Sequence, residues 1–416
     1  MYTELLTSLT PEQASIRDTM HSFAREVLRP AAKKLDHLPA EEVPRSPLYR
    51  ETMKKGYELG IHTILLPEAV GGMGLDPVSI HIVLEELGWG SSSFAISLVA
   101  SSFPALACLS FAPESMSLIE RFVLPFCRDK EGKVIGCWAL TEPDHGSDWI
   151  IGHADETPDP RMAGGLTARK DGQGWVLNGQ KSAWVSNGPV ATQAVLFVSL
   201  DRSQGMRGSG IALVDLDRPG ISRGKPWDKI GQRALPQGEI YFDDVRIPAE
   251  QMLVSTPDFY AAAIDASLAL ANSAMGAVFT GVARAAFEEA VRYTGERVQG
   301  GVPIHRHQAV QVKLFQLFQR TEVARAISRR VMTYNYSTRP PILKYAVASK
   351  VSCTEAAFSN AHDAVNLFGG MGLSRESDIE MIFRDARASM IEDGINETLG
   401  LGVGKEIAKS WVEHLS

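Results

Sequence analysis

The feature that most constrains the fold is a change of residue pattern near residue 133, which is reversed near residue 256. Outside these points, apolar residues recur at helical spacing, as in TPEQASIRDTMHSFAREVLRPAAKKLD. Between them, short runs rich in β-branched and aromatic residues, such as KVIGCWAL and GEIYFDDVRIP, are separated by Gly, Asn and Asp. The patterns predict helices, then strands, then helices. We therefore predict an α+β multidomain protein with an N-terminal α-helical domain (1–132), a middle β-barrel-like or β-sandwich domain (133–250) and a C-terminal four-helix-bundle domain (251–416).

Two local signals predict where elements begin or turn. Thr10 precedes Pro11 at the start of the first helical pattern, so Thr10 is the expected N-cap. The pair Asn178 and Gly179 separates WVL from QKSAWVS. Because both residues tolerate positive φ, this pair predicts a β-hairpin turn.

Composition and charge exclude several classes of partner. The 416-residue chain is 44% hydrophobic and 22% charged, as globular proteins are, and its formal net charge is -7. Without a concentrated run of Lys and Arg, we expect neither a nucleic-acid partner nor a membrane surface partner. The apolar run FAISLVASSFPALACLSFA is interrupted by Ser and Pro, which favours a buried helix over a membrane span. The N-terminus lacks the pattern of a signal or transit peptide, so we expect a cytoplasmic protein.

The cysteines and three loop histidines do not indicate a metal site. The cysteines lack the short paired spacing of zinc sites and disulfide frameworks, and we expect them to be reduced and mostly buried: Cys108, Cys127, Cys137 and Cys353. His145, His305 and His307 have no accompanying set of Cys or carboxylate ligands in the sequence. We interpret these histidines as polar loop residues and predict no bound metal.

The segment WALTEPDHGSDW, residues 138–149, leaves a predicted strand into a loop whose backbone N–H groups and hydroxyls could hold a polar ligand. Four further segments complete a pattern: KSAWVSNGPVA (181–191), GQRALPQGEIYFDDVRIP (231–248), YTGERVQGGVPIHRHQA (293–309) and VNLFGGMGLSRESDIEMIFRDA (365–386). Together, in this order and spacing, they resemble the acyl-CoA dehydrogenase family. The resemblance covers nearly the whole chain.

The resemblance implies a flavoenzyme that holds flavin adenine dinucleotide (FAD) between the β domain and the C-terminal helices, with an acyl-CoA thioester against the flavin ring. The residues that match cofactor-binding positions are Trp138, Ala139, Leu140, Thr141, Ser147, Trp184, Val185, Ser186, Arg297, Gln308, Asn366, Phe368, Gly369, Gly370, Ile395 and Glu397. The residues expected to contact substrate are Ser147, Asn272 and Gly394. Arg297 and Gln308 match positions that reach a neighbouring subunit's cofactor, which implies a homotetramer built as a dimer of dimers.

The stretch IEDG, residues 391–394, contains the candidate catalytic base. One interpretation is structural: Asp393 caps the following helix, and Gly394 supplies backbone freedom. The resemblance implies the other. Counting from the RDA motif at Arg384, Asp393 occupies the position of the family's catalytic Glu. That carboxylate removes the substrate's α-proton while a hydride leaves the β-carbon for the flavin. Glu392 is the weaker candidate, because neighbouring residues near a helix end point in different directions.

Several departures from the family pattern leave the chemistry open. Asp is one methylene shorter than Glu, and Asn272 stands where the family has a substrate-side Arg. Ile395 and Glu397 replace residues that are commonly Thr and Gln. The segment GWGSSSFAISL lacks the Arg of glutaryl-type relatives, which disfavours decarboxylation of a dicarboxylic thioester.

The leading hypothesis is an acyl-CoA dehydrogenase that passes electrons to an electron-transferring flavoprotein. The alternatives are an enzyme of the same fold that acts on a carrier-protein thioester or an unusual, for example alicyclic, acyl group, a flavin monooxygenase, or a flavin-containing binding protein with little turnover.

Overall fold

The chain has three consecutive regions: a set of helices, a region that forms the central sheet, and a second set of helices. The structure is a computed structural model that describes residues 9–151 and 158–415. The helices before the sheet are α1 (Pro11–Phe23), α2 (Arg29–Asp36), α3 (Pro47–Glu58), α4 (Pro77–Gly90), α5 (Ser92–Ser101), α6 (Phe103–Phe111), α7 (Met116–Leu118) and α8 (Leu124–Arg128). The sheet region contains β1 (Gly136–Ala139), α9 (Asp148–Ile151), β2 (Thr167–Asp171), β3 (Gly174–Ser186), β4 (Gln193–Ser199), β5 (Ser209–Asp215), β6 (Ile221–Arg223), β7 (Gln237–Pro248) and β8 (Met252–Val254). The last region contains α10 (Pro257–Glu296), the short strands β9 (Val298–Gln299) and β10 (Val302–Pro303), α11 (Gln308–Ser337), α12 (Leu343–Phe368), α13 (Asp378–Ser389) and α14 (Asn396–Leu415).

The N-terminal helices begin where the sequence predicts. Thr10 accepts a hydrogen bond from the backbone N–H of Gln13, whose side chain accepts from the Thr10 backbone N–H, so the predicted N-cap is confirmed as part of a capping box. Helix α4 is buried over almost its whole length and packs against α10 and α11. This packing joins the N-terminal helices to the C-terminal ones.

The central sheet has the strand order β6-β7-β3-β2-β4-β5-β8, and β1 pairs in parallel with β4. The predicted hairpin turn at Asn178 and Gly179 is wrong, because β3 runs through both residues. The pair lies instead at a register shift between β3 and β7, where the Asn178 side chain exchanges hydrogen bonds with Asp244 of β7. The turn into β3 occurs earlier, where Asp171 pairs with Gly174 and Gly172 adopts a φ of 59°.

The C-terminal region is a helical bundle in which α10 packs against α11, α12 and α13. The predicted fold class, with N-terminal helices, a central β domain and a C-terminal bundle, is confirmed. The exact domain boundaries stay predictions, and β8 pairs with β5 beyond the predicted boundary at residue 250.

By length and composition, two apolar stretches of the described chain could cross a membrane: Ser92–Phe111 and Pro257–Glu296. Their most apolar windows are 67% and 83% buried inside the protein. Such burial is typical of core helices in a protein of this size.

Candidate active site

The candidate site is centred on a short loop between α13 and α14. Two consecutive residues of this loop have positive φ angles, 48° at Asp393 and 98° at Gly394. The left-handed region is uncommon for residues other than Gly, and Asp is among those that enter it most readily. The loop therefore holds Asp393 in a backbone conformation that neighbouring groups must stabilise.

Three regions of the chain hold this loop. From α12, the Lys350 ammonium donates to the Gly394 carbonyl at 2.8 Å and to Asn396 Oδ1 at 2.7 Å. From α10, Asn272 Nδ2 donates to the Asp393 carbonyl at 3.4 Å. From the loop after β1, Ser147 Oγ accepts the Ile395 backbone N–H at 3.0 Å. The loop is thus fixed to two bundle helices and to the β domain.

Asn272 is fully buried beside Asp393, and its two amide atoms differ in their bonding. Its Nδ2 binds the Asp393 carbonyl, whereas its Oδ1 has no hydrogen-bond partner among the described residues. A buried amide oxygen without a partner is costly. The described residues therefore supply no donor to this oxygen.

The carboxylates of the loop face buried cations. Burial raises the pKa of Asp393, and the Lys350 charge opposes this rise. Burial, followed by the Asp393 charge, raises the pKa of Glu392 against the opposing charges of Lys229 and Lys350. Burial lowers the pKa of Lys350 to about 8, although the nearby carboxylates oppose this shift. The site thus combines carboxylates of raised pKa with ammonium groups of lowered pKa, as functional sites often do.

The RDA motif fixes α13 against the other two domains. The Asp385 carboxylate accepts a hydrogen bond from the Gln232 backbone N–H at 2.5 Å and from Ser92 Oγ at 3.1 Å. Arg384 forms two hydrogen bonds with the Asp36 carboxylate, at 2.9 and 2.8 Å. The helix that leads into the Asp393 loop is therefore anchored to both the N-terminal helices and the middle domain.

The segment after β1 lies beside the strand that carries Trp184. Thr141 accepts the Ser182 backbone N–H at 2.9 Å, two residues before Trp184 in β3. The Trp184 indole is 55% exposed, and its ring lies 6.1 Å from that of Trp227, which is also exposed. Two exposed indoles at the end of a sheet form an aromatic surface on which a planar ligand can stack.

Hydrogen bonds connect the strand end that carries Trp184 to Lys229, a cation that acts on Glu392. Gln237 donates to Ser186 Oγ at 3.1 Å and accepts from the Lys229 ammonium at 2.6 Å. Lys229 is one of the cations that oppose the raised pKa of Glu392. The structure therefore brings the Trp184 to Ser186 motif and the Asp393 loop into one region, as the sequence predicts.

Other predicted cofactor residues contribute little exposed side chain. The Trp138 indole packs between Phe103 and Phe197, with ring centroids 5.2 and 5.9 Å away. The side chains that are buried in the cores are Ala139, Leu140 and Val185. Contacts from these buried residues to a ligand would have to come from their backbone atoms. Ile395 is half-buried and Glu397 is exposed.

A second group of predicted residues lies around the far end of α10. Arg297 follows the last residue of α10, and Gln308 begins α11. Tyr293 of α10 stacks on Phe368 and donates to its carbonyl at 3.2 Å. The exposed Asn366, Gly369 and Gly370 lie in the same region, and an added Cβ at either glycine would meet open space.

The two groups of residues lie far apart in one chain. Asn272 lies within α10 and Arg297 directly follows its last residue, so the two lie on the order of 35 Å apart at ~1.5 Å per residue. Within one subunit, the structure does not bring Arg297 to the Asp393 loop.

Two residues that the sequence patterns do not single out contribute to the site. Lys350 lies in the apolar stretch YAVASKVSC, and a lysine in the buried face of a helix is rare enough to be a signal. Trp227 adjoins Trp184 across the end of the sheet, and no local pattern pairs the two.

Comparisons with known proteins identify the family to which the chain belongs. Residues 10–116, 137–245 and 261–408 match the N-terminal, middle and C-terminal domains of acyl-CoA dehydrogenase. The mitochondrial short-chain specific acyl-CoA dehydrogenase of Rattus norvegicus is 32% identical over 400 residues, which cover 95% of this chain and 90% of that protein. The chain belongs to the acyl-CoA dehydrogenase family. It is accordingly an FAD-dependent oxidoreductase that acts on the CH–CH group of acyl-CoA.

Further relatives vary the same fold. The benzylmalonyl-CoA dehydrogenase of Aromatoleum aromaticum is 34% identical, with 96% of this chain and 99% of that protein covered. The butyryl-CoA dehydrogenase structure from Megasphaera elsdenii superposes with a TM-score of 0.84 at 27% identity, covering 97% of this chain and 100% of that one. A glutaryl-CoA dehydrogenase structure in complex with glutaryl-CoA gives a TM-score of 0.85 at 26% identity, covering 97% of each chain.

Proposed function

We propose that this acyl-CoA dehydrogenase uses Asp393 as the general base that removes the α-proton of its acyl-CoA substrate. The observation that carries the proposal is the loop itself. The pKa of the Asp393 carboxyl is raised by burial, and backbone atoms of its loop are hydrogen-bonded by Lys350, Asn272 and Ser147, in one region with the Trp184 surface. A base of raised pKa is better matched to a weakly acidic carbon than an ordinary aspartate is.

The residues near Trp184 fit the FAD that the family uses. The exposed Trp184 indole offers an aromatic face. The Ser186 hydroxyl lies in the same strand, and Thr141, whose carbonyl accepts the Ser182 backbone N–H, lies in the neighbouring segment. The open space at Gly369 and Gly370 suits close approach of a ligand to the backbone. When bound, FAD supplies the acceptor for the hydride that leaves the substrate's β-carbon.

The shorter side chain of Asp393 changes the geometry that the loop must achieve. An error on the order of 1 Å in the position of a catalytic group can cost about a hundredfold in rate. The left-handed backbone at Asp393 and the anchoring of its loop to α10 and α12 offer a means of bringing the carboxylate closer to the α-carbon.

Asn272 is the polar side chain proposed to meet the substrate next to Asp393. Its unpartnered Oδ1 can accept a hydrogen bond from an N–H or O–H group of the bound thioester. Ser147 and Gly394 would complete the surface around the reacting carbon, because Ser147 already binds the residue that follows Gly394.

We also propose a homotetramer, built as a dimer of dimers, that delivers its electrons to an electron-transferring flavoprotein. The separation of Arg297 from the Asp393 loop supports a cofactor site shared between subunits. Helix α11 supports it too, because it exposes an apolar face that includes Val312, Phe315 and Val323. If the enzyme consumes oxygen at the rate of substrate oxidation when no electron-transferring flavoprotein is present, the result would argue for an oxidase instead.

The test of the proposed function is anaerobic mixing of the purified protein with a panel of acyl-CoA thioesters. We expect a yellow protein with one FAD per subunit, whose flavin absorbance bleaches with at least one member of the panel. A colourless protein that takes up no added FAD, or flavin that no acyl-CoA reduces, would contradict the proposal.

A further inference from the structure

Lys350 is a buried cation that the proposed chemistry does not itself use. It lies on α12 with 0% of its surface exposed, among the apolar residues of the bundle. Its ammonium donates to the Gly394 carbonyl and to Asn396 Oδ1, on either side of Ile395. A buried ammonium is expensive unless it is paired and hydrogen-bonded, so these contacts identify the loop as the partner that keeps it charged.

Asn396 extends the contact back to α12. Its side-chain amide donates to Thr354 Oγ1 at 3.1 Å, one turn after Lys350 on the same helix. Lys350 and Thr354 therefore fix the first residue of α14, and Lys350 also fixes the carbonyl of Gly394. The segment between these points follows Asp393 directly, so its position determines where the carboxylate lies.

The charged groups around Lys350 are the acidic residues of the loop. The carboxylates that act on it electrostatically are, from strongest to weakest, Asp393, Glu392 and Glu397. For Asp393, the Lys350 charge is the opposing influence to burial. Glu392 also faces Asp385 and Lys229, which belong to α13 and to the segment before β7.

We propose that Lys350 is a positioning residue for the reaction, which fixes the Asp393 loop through Gly394 and Asn396 and stabilises the ionised form of the Asp393 carboxylate. This inference rests on the proposed role of Asp393 as the base. Removing the Lys350 charge should favour the protonated carboxyl, so the base form would appear only at higher pH. Removing a loop contact while the Lys350 charge is kept should instead misplace the base at every pH.

Three variants separate the charge from the contacts. Lys350→Met removes both, Lys350→Arg keeps the charge, and Asn396→Ala removes one acceptor while leaving Lys350 in place. The readout is the rate of anaerobic flavin reduction by acyl-CoA as a function of pH. The acid limb is the part of this pH profile in which the rate falls at low pH as the base is protonated. We expect Lys350→Met to move the midpoint of the acid limb upward by about one pH unit or more, as loss of a nearby opposite charge does. Lys350→Arg should keep the acid limb at its wild-type pH. Asn396→Ala should lower the plateau rate, the maximal rate at high pH, without moving the acid limb.

A second readout does not depend on turnover. Infrared titration of the protein without substrate, compared with Asp393→Asn, follows the Asp393 carboxyl directly and should show the same upward shift in Lys350→Met. Thermal unfolding establishes that each variant is folded, and Asn396→Ala still tests the positioning role if Lys350→Met does not fold. If Asn396→Ala has the plateau rate and the acid limb of the wild type, the positioning role of Lys350 is overturned. If the pKa of the Asp393 carboxyl is unshifted in Lys350→Met, the electrostatic role is overturned. An acid limb that persists unchanged in Asp393→Asn would instead count against Asp393 as the base.

Discussion

Asp393 and Glu392 are adjacent carboxylates whose surroundings differ. The Asp393 backbone is fixed by Asn272 and by the contacts of the residues that follow it. Glu392 makes its described backbone contact with α13, where its N–H donates to the Ala388 carbonyl. The pKa of each carboxyl is raised, chiefly by burial. Raised pKa values therefore do not distinguish the base, whereas the fixed loop favours Asp393.

Glu392→Gln tests this distinction at the scale of single residues. The substitution keeps the shape of the side chain and removes a carboxylate that the proposed reaction does not need. We expect flavin reduction to fall by less than about tenfold, below the range for loss of a general base. Stopped-flow absorbance with the best acyl-CoA substrate gives the rate. A loss as large as that of Asp393→Asn would mean that the wrong carboxylate has been chosen.

The sequence could identify Asp393 but not the groups that hold it. Asp393 follows the RDA motif at a fixed spacing, so counting along the chain locates it. Lys350 meets Gly394 only because α12 packs beneath the loop, across a separation of 44 residues. The lack of a hydrogen-bond partner for Asn272 Oδ1 among the described residues likewise depends on how α10 packs against the loop. Contacts of this kind depend on helix packing, which local patterns do not specify.

At the scale of elements, the ion pair between Asp36 of α2 and Arg384 of α13 connects the N-terminal helices to the helix that precedes the Asp393 loop. Burial alone would raise the pKa of Asp36, but the hydrogen bonds and charges of Arg384 and Arg375 hold it below its ordinary value. A carboxylate with a lowered folded-state pKa stabilises the fold above its unfolded pKa of about 3.9, and this contribution is lost as the pH falls through the folded value.

Asp36→Asn should therefore destabilise the protein near neutral pH by about 3 kcal/mol, as expected when one partner of a largely buried pair is removed. The difference from wild type should shrink as the pH falls below about 4, where the wild-type carboxylate is itself protonated. Thermal unfolding at several pH values measures both effects. Glu131→Gln is the control, since its exposed pair with Lys54 should contribute little. Equal destabilisation of Asp36→Asn at all pH values would show that the carboxylate charge is not responsible.

The sheet shows where a local turn signal is insufficient. Asn178 and Gly179 have the residue types of a tight hairpin, and so does the segment around Gly172. Asp244, distant in sequence, pairs with Asn178 and turns the first site into an irregularity within β3. The change from helical to strand pattern was predictable because it is repeated over many residues. The choice between two turns depends on one distant partner.

At the scale of the whole molecule, the predicted site is divided between regions that a single chain keeps apart. The Asp393 loop and the Trp184 surface lie together, whereas Arg297, Gln308 and Asn366 lie near the other end of α10. The exposed apolar residues of α11 suit burial against another subunit. Assembly and cofactor retention should therefore be lost together.

Phe315→Glu tests this coupling, because Phe315 is 61% exposed and contributes little to the core of its own chain. We expect the variant to remain folded, to have a smaller mass by light scattering and to retain less FAD per subunit. Met116→Glu is the matched control on α7, where the methionine is also 61% exposed. A Phe315→Glu protein with wild-type mass and flavin content would show that this face is not used in assembly.

The central claim, that Asp393 is the base, is tested most directly by the rate of anaerobic flavin reduction in Asp393→Asn and Asp393→Glu. Both variants keep the loop contacts made by the backbone. We predict that Asp393→Asn retains FAD and reduces it about a hundred- to ten-thousandfold more slowly than wild type. Asp393→Glu, which keeps the carboxylate and lengthens the side chain by one methylene, should retain measurable reduction by acyl-CoA. Flavin reduction at the wild-type rate in Asp393→Asn would contradict the account and leave Asp393 as a structural residue of the turn before α14.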